Sequence, residues 1–337
     1  MRHTLLNIGL IAALVPLSSF SEVPASADSV QVVRENMQHA FPLTVPAGNY
    51  SGIAYLGNHE YAVVDDKSAD GFTKFHLELD SVTGDIISVQ NMGFVPNGEP
   101  NRDQEGIAYV PFTNTVWVSG ERGNEIKEMT LDGKLTQRKL QIPEVFNNAT
   151  GNYGFEGFTS NATTHRVWTT TESTLKGDGQ QATSTQPCKN RLRLQSFTDN
   201  LRPDAQYWYE MDMPEAAGEV SNYAMGVSEL CALDNGSVLV LEREFYVPKT
   251  KIGAWVNCKL YVVNPSEVKT GELLQKRLIT TVHTKFTLFN RSIANYEGMC
   301  IGPKLKDGSQ VLIMVSDSQN QYAGMLKDWW KSFLIRL

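Results

Sequence analysis

Little in this 337-residue chain points to thiolate, redox or nucleic-acid chemistry. It has four cysteines (Cys188, Cys231, Cys258 and Cys300) and no CxxC pair, and its six histidines show no paired spacing, so zinc and other transition-metal sites are disfavoured. Basic residues are outnumbered 30 to 37, giving a net charge of -7, the wrong sign for a phosphate-backbone partner. Beyond the N-terminus no apolar run approaches the roughly 20 residues a membrane helix needs. Long amphipathic helical patterns, low-complexity tracts and a domain-boundary linker are also missing. A helical turn near Lys327 to Lys331 is the one exception expected.

What is there begins with Met1-Arg2-His3, an apolar run from Leu5 to Leu17, and Ala25-Ser26-Ala27 before Asp28, the layout of a cleaved secretory signal. Residues 1–27 are therefore set apart as a leader and residues 28–337 are read as one domain. The leader carries one base and one acid (Arg2 and Glu22), so the mature charge is unchanged. The expectation is an exported protein, secreted or periplasmic, with one or two disulfides.

The strongest pattern is an internal repeat. Five segments resemble one another: Ser51-Gly52-Ile53, Glu105-Gly106-Ile107, Glu156-Gly157-Phe158, Ser228-Glu229-Leu230 and Glu297-Gly298-Met299. Each is followed, after a polar turn, by a β-rich run ending in an acid: Asp65-Asp66, Glu121, Glu172, Glu242 and Asp317. A hairpin therefore opens every unit. Downstream there is room for two more strands, for example Glu125 to Leu131 then Leu135 to Ile142, or Lys259 to Val263 then Leu273 to Val282. Four antiparallel strands make a propeller blade. The repeat starts are 54, 51, 72 and 69 residues apart, and the 41 residues after the last start combine with the 23 from Asp28 to Tyr50 into a further unit of 64. An N-terminal strand at Val30 to Val33, or at Phe41 to Val45, would then complete the last sheet. The expected fold is an all-β propeller of five blades around a central channel, or six if the two long units hide another.

In an antiparallel hairpin the start of the first strand and the end of the second lie at one edge. The repeat thus predicts that Glu105, Glu156 and Glu297 ring one channel mouth, with Ser51 and Ser228 in equivalent slots and Glu229 displaced by one residue. Asp65, Asp66, Glu121, Glu172, Glu242 and Asp317 form a second ring beside them. So many carboxylates at close range need counter-charge. Arg102, Arg122, Arg243, Arg291 and Lys67 supply some, and a hard cation such as Ca²⁺, which takes carboxylate oxygens in flexible geometry, can supply the rest.

These residues also carry a family resemblance. Ser51-Gly52-Ile53 with Val63-Val64-Asp65-Asp66-Lys67-Ser68, Arg102-Asp103-Gln104-Glu105-Gly106, Asn152-Tyr153-Gly154-Phe155-Glu156-Gly157, Leu239-Val240-Leu241-Glu242-Arg243, and Asn295-Tyr296-Glu297-Gly298 with Val315-Ser316-Asp317 resemble the phytase-like family described as having esterase-like activity of phytase. The likeness covers about residues 48–337. It implies a secreted or periplasmic propeller whose acidic residues act on phosphate esters, phytate being the eponymous substrate. Departures from the family pattern are Gln104, where a small hydroxyl residue is usual, and Ser318-Gln319, where a tighter acidic cluster is usual.

The functional expectation is a metal-assisted phosphoester hydrolase acting on a small molecule, with no nucleic acid and no membrane span. Glu105, Glu156 and Glu297 would be the catalytic glutamates, Arg102, Arg122, Arg243, Arg291 and Lys67 would hold phosphate oxygens, and Asp65, Asp66, Glu121, Glu172, Glu242 and Asp317 would hold Ca²⁺. The competing expectation is a non-catalytic propeller that binds a ligand or protein partner and uses a cation structurally.

Overall fold

A computed structural model describes residues 29–149, 151 and 153–337; the expected leader, residues 1–27, lies outside them. Its strands run in chain order as β1 (Gln31–Glu35), β2 (His39–Ala40), β3 (Tyr50–Gly57), β4 (Glu60–Asp65), β5 (Gly71–Leu79), β6 (Ile86–Pro96), β7 (Gln104–Val110), β8 (Thr115–Gly120), β9 (Glu125–Thr130), β10 (Leu135–Lys139), β11 (Phe155–Asn161), β12 (Arg166–Thr171), β13 (Arg191–Thr198), β14 (Pro203–Glu210), β15 (Asn222–Ala232), β16 (Val238–Val247), β17 (Ala254–Val263), β18 (Lys276–Phe286), β19 (Asn295–Lys304), β20 (Gln310–Asp317) and β21 (Trp329–Arg336). They form five antiparallel sheets. Blades 1 to 4 are β3–β6, β7–β10, β11–β14 and β15–β18, and blade 5 joins β19, β20 and β21 to β1. The fold is therefore a five-bladed propeller, and no sixth blade occurs among the described residues.

Closure is by the N-terminal segment: Gln31 pairs with Arg336 and Glu35 with Phe333, while β2 pairs with the start of β21. Of the two segments read as possible closing strands, the one at Val30 to Val33 supplies the fourth strand, whereas Phe41 to Val45 forms a turn whose Phe41 and Val45 pack between blades 5 and 1. The innermost strands β3, β7, β11, β15 and β19 pack each against the next, and β19 returns to β3. The apolar core is correspondingly divided into five clusters, one in each interface between neighbouring blades. Strands covered on both faces read as near-continuous apolar runs rather than clean alternation, as Val238-Leu239-Val240-Leu241 does.

Two expectations need correction. All four cysteines are free: Cys231 and Cys258 pack as small apolar side chains between blades 4 and 5, Cys300 does so between blades 5 and 1, and Cys188 sits in a loop. Burial pushes the Cys231 and Cys258 thiols up to about 12. The segment near Lys327 to Lys331 is not helical, because Trp330 and Phe333 are fully buried in the last sheet.

Candidate functional site

One irregularity recurs in every blade. The pairing of the innermost strand with its neighbour slips between Tyr50 and Ile53, Gln104 and Ile107, Phe155 and Phe158, Val227 and Glu229, and Tyr296 and Gly298. A β-bulge of this kind re-aims the side chain it carries. The residues spanned include Ser51, Glu105, Glu156, Ser228 and Glu297, one from each repeat opening. Glycine follows four of them because the next blade's backbone approaches there. A Cβ on Gly106 would lie 2.4 Å from the Glu156 carbonyl oxygen, and one on Gly52 the same distance from that of Glu105. In blade 4 Glu229 takes the glycine's place. Its buried carboxyl accepts the backbone N–H groups of Phe158 at 3.0 Å and Leu230 at 2.9 Å and does not line the mouth.

The bulge glutamates meet the ends of the second strands around one cavity of about 380 Å³. Its wall carries eight carboxylates (Asp66, Asp103, Glu105, Glu121, Glu156, Glu172, Glu297, Asp317) and two cations (Lys67, Arg243). Burial and mutual repulsion raise most of these acids above the ordinary carboxylate value. Glu105 and Glu156 are held well above the usual carboxylate value, by burial first, then for Glu105 by Glu297 and for Glu156 by Glu105. Asp317 is likewise held well up, by burial and Glu297. Burial raises Glu121 and Glu297 to about 7, the latter against the pull of Arg243. Asp66 is also raised by burial, opposed by Lys67.

Arg243 is the main counter-charge. Its guanidinium donates to Glu172 at 2.5 Å, to Asn295 Oδ1 at 3.2 Å, and to Glu297. Lys67 stands at the rim, paired with Asp66 and, at 3.1 Å, with Asp103. Two carboxylate triads each bring one oxygen per residue within 4.8 Å of the others: Asp66, Asp103 and Glu105, and Glu121, Glu156 and Glu172. Within the first, Asp66 Oδ1 is buried without a hydrogen-bond partner. An all-oxygen, carboxylate-rich donor set suits a hard cation such as Ca²⁺.

The family model Phytase-like, described as "Esterase-like activity of phytase", matches residues 45–319. The chain belongs to the phytase-like family. No curated protein matches it. Among solved structures this phytase-like chain is similar to that of streptogramin B lyase (12% identity, covering 92% of this chain and 100% of that one, TM-score 0.39). It is also similar to an endo-arabinase from Bacteroides thetaiotaomicron (8%, 87% and 97%, 0.48) and to a chain of the nidogen/laminin complex (10%, 87% and 90%, 0.43). None of the three bears on the site.

In this phytase-like propeller the cavity brings together Glu105, Glu156, Glu297, Asp66, Glu121, Glu172, Asp317, Lys67 and Arg243. Asp65 lies just outside, its carboxylate accepting the backbone N–H groups of Asn49, Lys67 and Ser68 and so holding the turn after β4. Glu242 is turned away: it accepts from Tyr209 Oη and Lys276 Nζ, each at 2.6 Å, on the side of blade 4 that faces blade 3. Successive residues of a strand point to opposite faces, so Arg243 takes the mouth-facing position that the other blades give to an acid. Arg102 is buried against Asp70 and does not reach the cavity. Arg291 lies on the outer rim beside the Phe286 ring. Arg122 is 63% exposed, with Nε 3.3 Å from Asp103.

The cavity also contains Asp103, Asn49 and Gln319, which the repeat does not single out. Asp103 is turned inward by a left-handed backbone with φ of 54°, a conformation that aspartate tolerates better than most residues. Its traces in the sequence are its position two residues before Glu105 and its place in the Arg102-Asp103-Gln104-Glu105-Gly106 segment. No helix among the described residues is long and apolar enough to cross a membrane.

Proposed function

We propose that this phytase-like propeller is a calcium-dependent phosphoester hydrolase working at the acidic channel mouth. The observation that carries the reading is the charge imbalance: eight carboxylates against two cations around one cavity, an arrangement that calls for protons or hard cations. Asp66, Asp103 and Glu105 would hold one ion and Glu121, Glu156 and Glu172 a second. A bound calcium supplies Lewis acidity, offsetting phosphate charge and acidifying water. Lys67 and Arg122, both more than half exposed beside Asp103, are the side chains free to turn toward phosphate oxygens. Glu297, held near neutral pH and fixed by Asn295 Nδ2 at 2.9 Å, is suited to accept and return a proton at its carboxylate. The leader read at residues 1–27 supports export to the periplasm or medium, where millimolar calcium-type sites are at home.

The competing reading, a non-catalytic propeller braced by a cation, is favoured by Arg243, which already ties blade 3 to blade 5 through Glu172 and Glu297. Turnover of phytate and of p-nitrophenyl phosphate, measured with calcium and with chelator, separates the two. The hydrolase reading expects calcium-dependent turnover that Glu105→Gln and Glu156→Gln lower by about 100-fold or more. No turnover with any divalent ion, alongside a calcium-induced rise in Tm, would leave the binding module.

A further inference from the structure

Three loops on the mouth side of blades 4 and 5 differ from the rest of the molecule. Residues 248–253, 284–292 and 318–328 contain Lys249, Lys251, Lys285, Arg291 and Lys327 in a chain of net charge -7, and their one acid, Asp328, is buried and accepts from Gly48 N–H, Ser318 Oγ and Gln321 Nε2. The same loops present exposed apolar side chains: Phe289 is 99% exposed, Leu288 70%, Ile252 48% and Tyr322 47%. Loop tips ordinarily carry Gly, Asn, Asp or Ser, so Leu288-Phe289 at a tip is a departure that needs a partner.

The tip is built, not frayed. Thr287 N–H donates to the Asn290 carbonyl at 2.7 Å, and the Thr287 hydroxyl oxygen accepts Asn290 N–H at 3.0 Å. The loops are also tied together. Gly253 N–H donates to the Phe286 carbonyl at 2.8 Å, and Lys251 Nζ lies 3.2 Å from Tyr322 Oη and over its ring. Among the described residues only Lys249 of the five cations has an acidic partner, Glu219, itself exposed. The 318–328 loop starts beside Asp317 and reaches the cavity through Gln319, whereas the 248–253 loop stands clear of the carboxylates because β16 continues four residues past Arg243 to Val247. At about 3.3 Å per residue that is some 13 Å, beyond the screening length of about 8 Å at physiological salt.

We infer that this lip docks the propeller on an anionic lipid surface, Leu288, Phe289 and Ile252 entering the headgroup region while the lysines and Arg291 meet lipid phosphates. Aromatic and aliphatic tips ringed by Lys and Arg are the chemistry of reversible interfacial binding. Phe289 and Leu288 stand out in solvent, which suits a deformable surface rather than a preformed pocket. The inference does not depend on whether the mouth is catalytic.

Flotation of the whole protein with phosphatidylcholine vesicles, and with vesicles containing phosphatidylglycerol, tests it. The wild type is expected to float with the phosphatidylglycerol vesicles, less so as salt rises, and only weakly with phosphatidylcholine. Phe289→Ser, at a fully exposed position, is expected to keep the wild-type Tm and to lose about tenfold in partitioning; Lys251→Gln with Lys285→Gln is expected to remove the preference for phosphatidylglycerol. A wild type that ignores both kinds of vesicle, or a Phe289→Ser variant that binds as well as the wild type, would overturn the inference. So would sedimentation showing a lipid-free dimer that Phe289→Ser dissolves, since the lip would then belong to a second copy.

Discussion

Glu242 and Arg243 are adjacent in β16 and meet opposite fates: one closes a polar contact with Tyr209 and Lys276, the other reaches the mouth. Removing a single partner of a buried ion pair leaves uncompensated charge and typically costs 3–5 kcal/mol. Arg243→Gln is therefore expected to lower stability by about 3 kcal/mol in chelator at pH 8, and by less at pH 5, below the value of about 7 to which burial raises Glu297; denaturant unfolding at the two pH values checks this. The opposite sign is expected for Glu156→Gln. It removes one of several repelling carboxylates and should raise the Tm of the cation-free protein above pH 7 while shrinking the rise that calcium produces. Neither sign is readable from the residue alone. Glutamate 242 and arginine 243 look equally eligible in the sequence, and a half-turn of the strand separates them.

Among the strands, the bulge at each repeat opening does two jobs: it points a side chain at the axis and brings glycine against the neighbouring blade. Gly106→Ala would place a methyl group 2.4 Å from the Glu156 carbonyl oxygen, and backbone on a closed ring has little room to withdraw. A loss of about 3 kcal/mol is expected in chemical denaturation, whereas Gly123→Ala, whose nearest neighbour is 3.7 Å away, is limited to the smaller cost of its positive φ. The closing strand β1 is a second element-level test. Deleting residues 29–37 would strip the outer edge of β21 and uncover Ile335 and Phe333. The expected outcome is a Tm lower by on the order of 10 °C and association through the open edge, read by scanning calorimetry and size-exclusion chromatography.

For the whole molecule the acidic mouth couples folding to protons. Glu121 and Glu297 hold theirs up to about pH 7, against an ordinary value of 4.5, so between those limits the folded protein binds more protons than the unfolded chain. Stability of the cation-free protein should then fall as pH rises through that window. Calcium competes with those protons, so the Tm gain on adding it should be small at pH 5 and larger, by a few degrees or about that order, at pH 8. Equal gains at both pH values, in a fluorescence-monitored melt, would mean that the ion binds away from these acids.

Much of this was legible in the chain itself. The recurrence of Glu-Gly or Ser-Gly before a β-rich run, with a turn between, determined the hairpins and the five repeat openings and pointed to closure by the N-terminal segment, because hairpin geometry and hydrogen-bond closure are local demands on residue order. The absence of a sixth blade among the described residues and the choice of Gln31–Glu35 as closing strand came from the structure. The recurrence likewise determined that Glu105, Glu156 and Glu297 would meet, since equivalent positions of a closed repeat share one radius. Tertiary structure alone decided which neighbours joined them: Asp103 entered through a left-handed backbone, Arg102 was claimed by Asp70, Glu242 by Lys276, and the cysteines were distributed between separate blade interfaces. The reason is that side-chain direction depends on bulges and strand parity, which a one-residue slip reverses, and on partners tens to hundreds of residues away that no local pattern names.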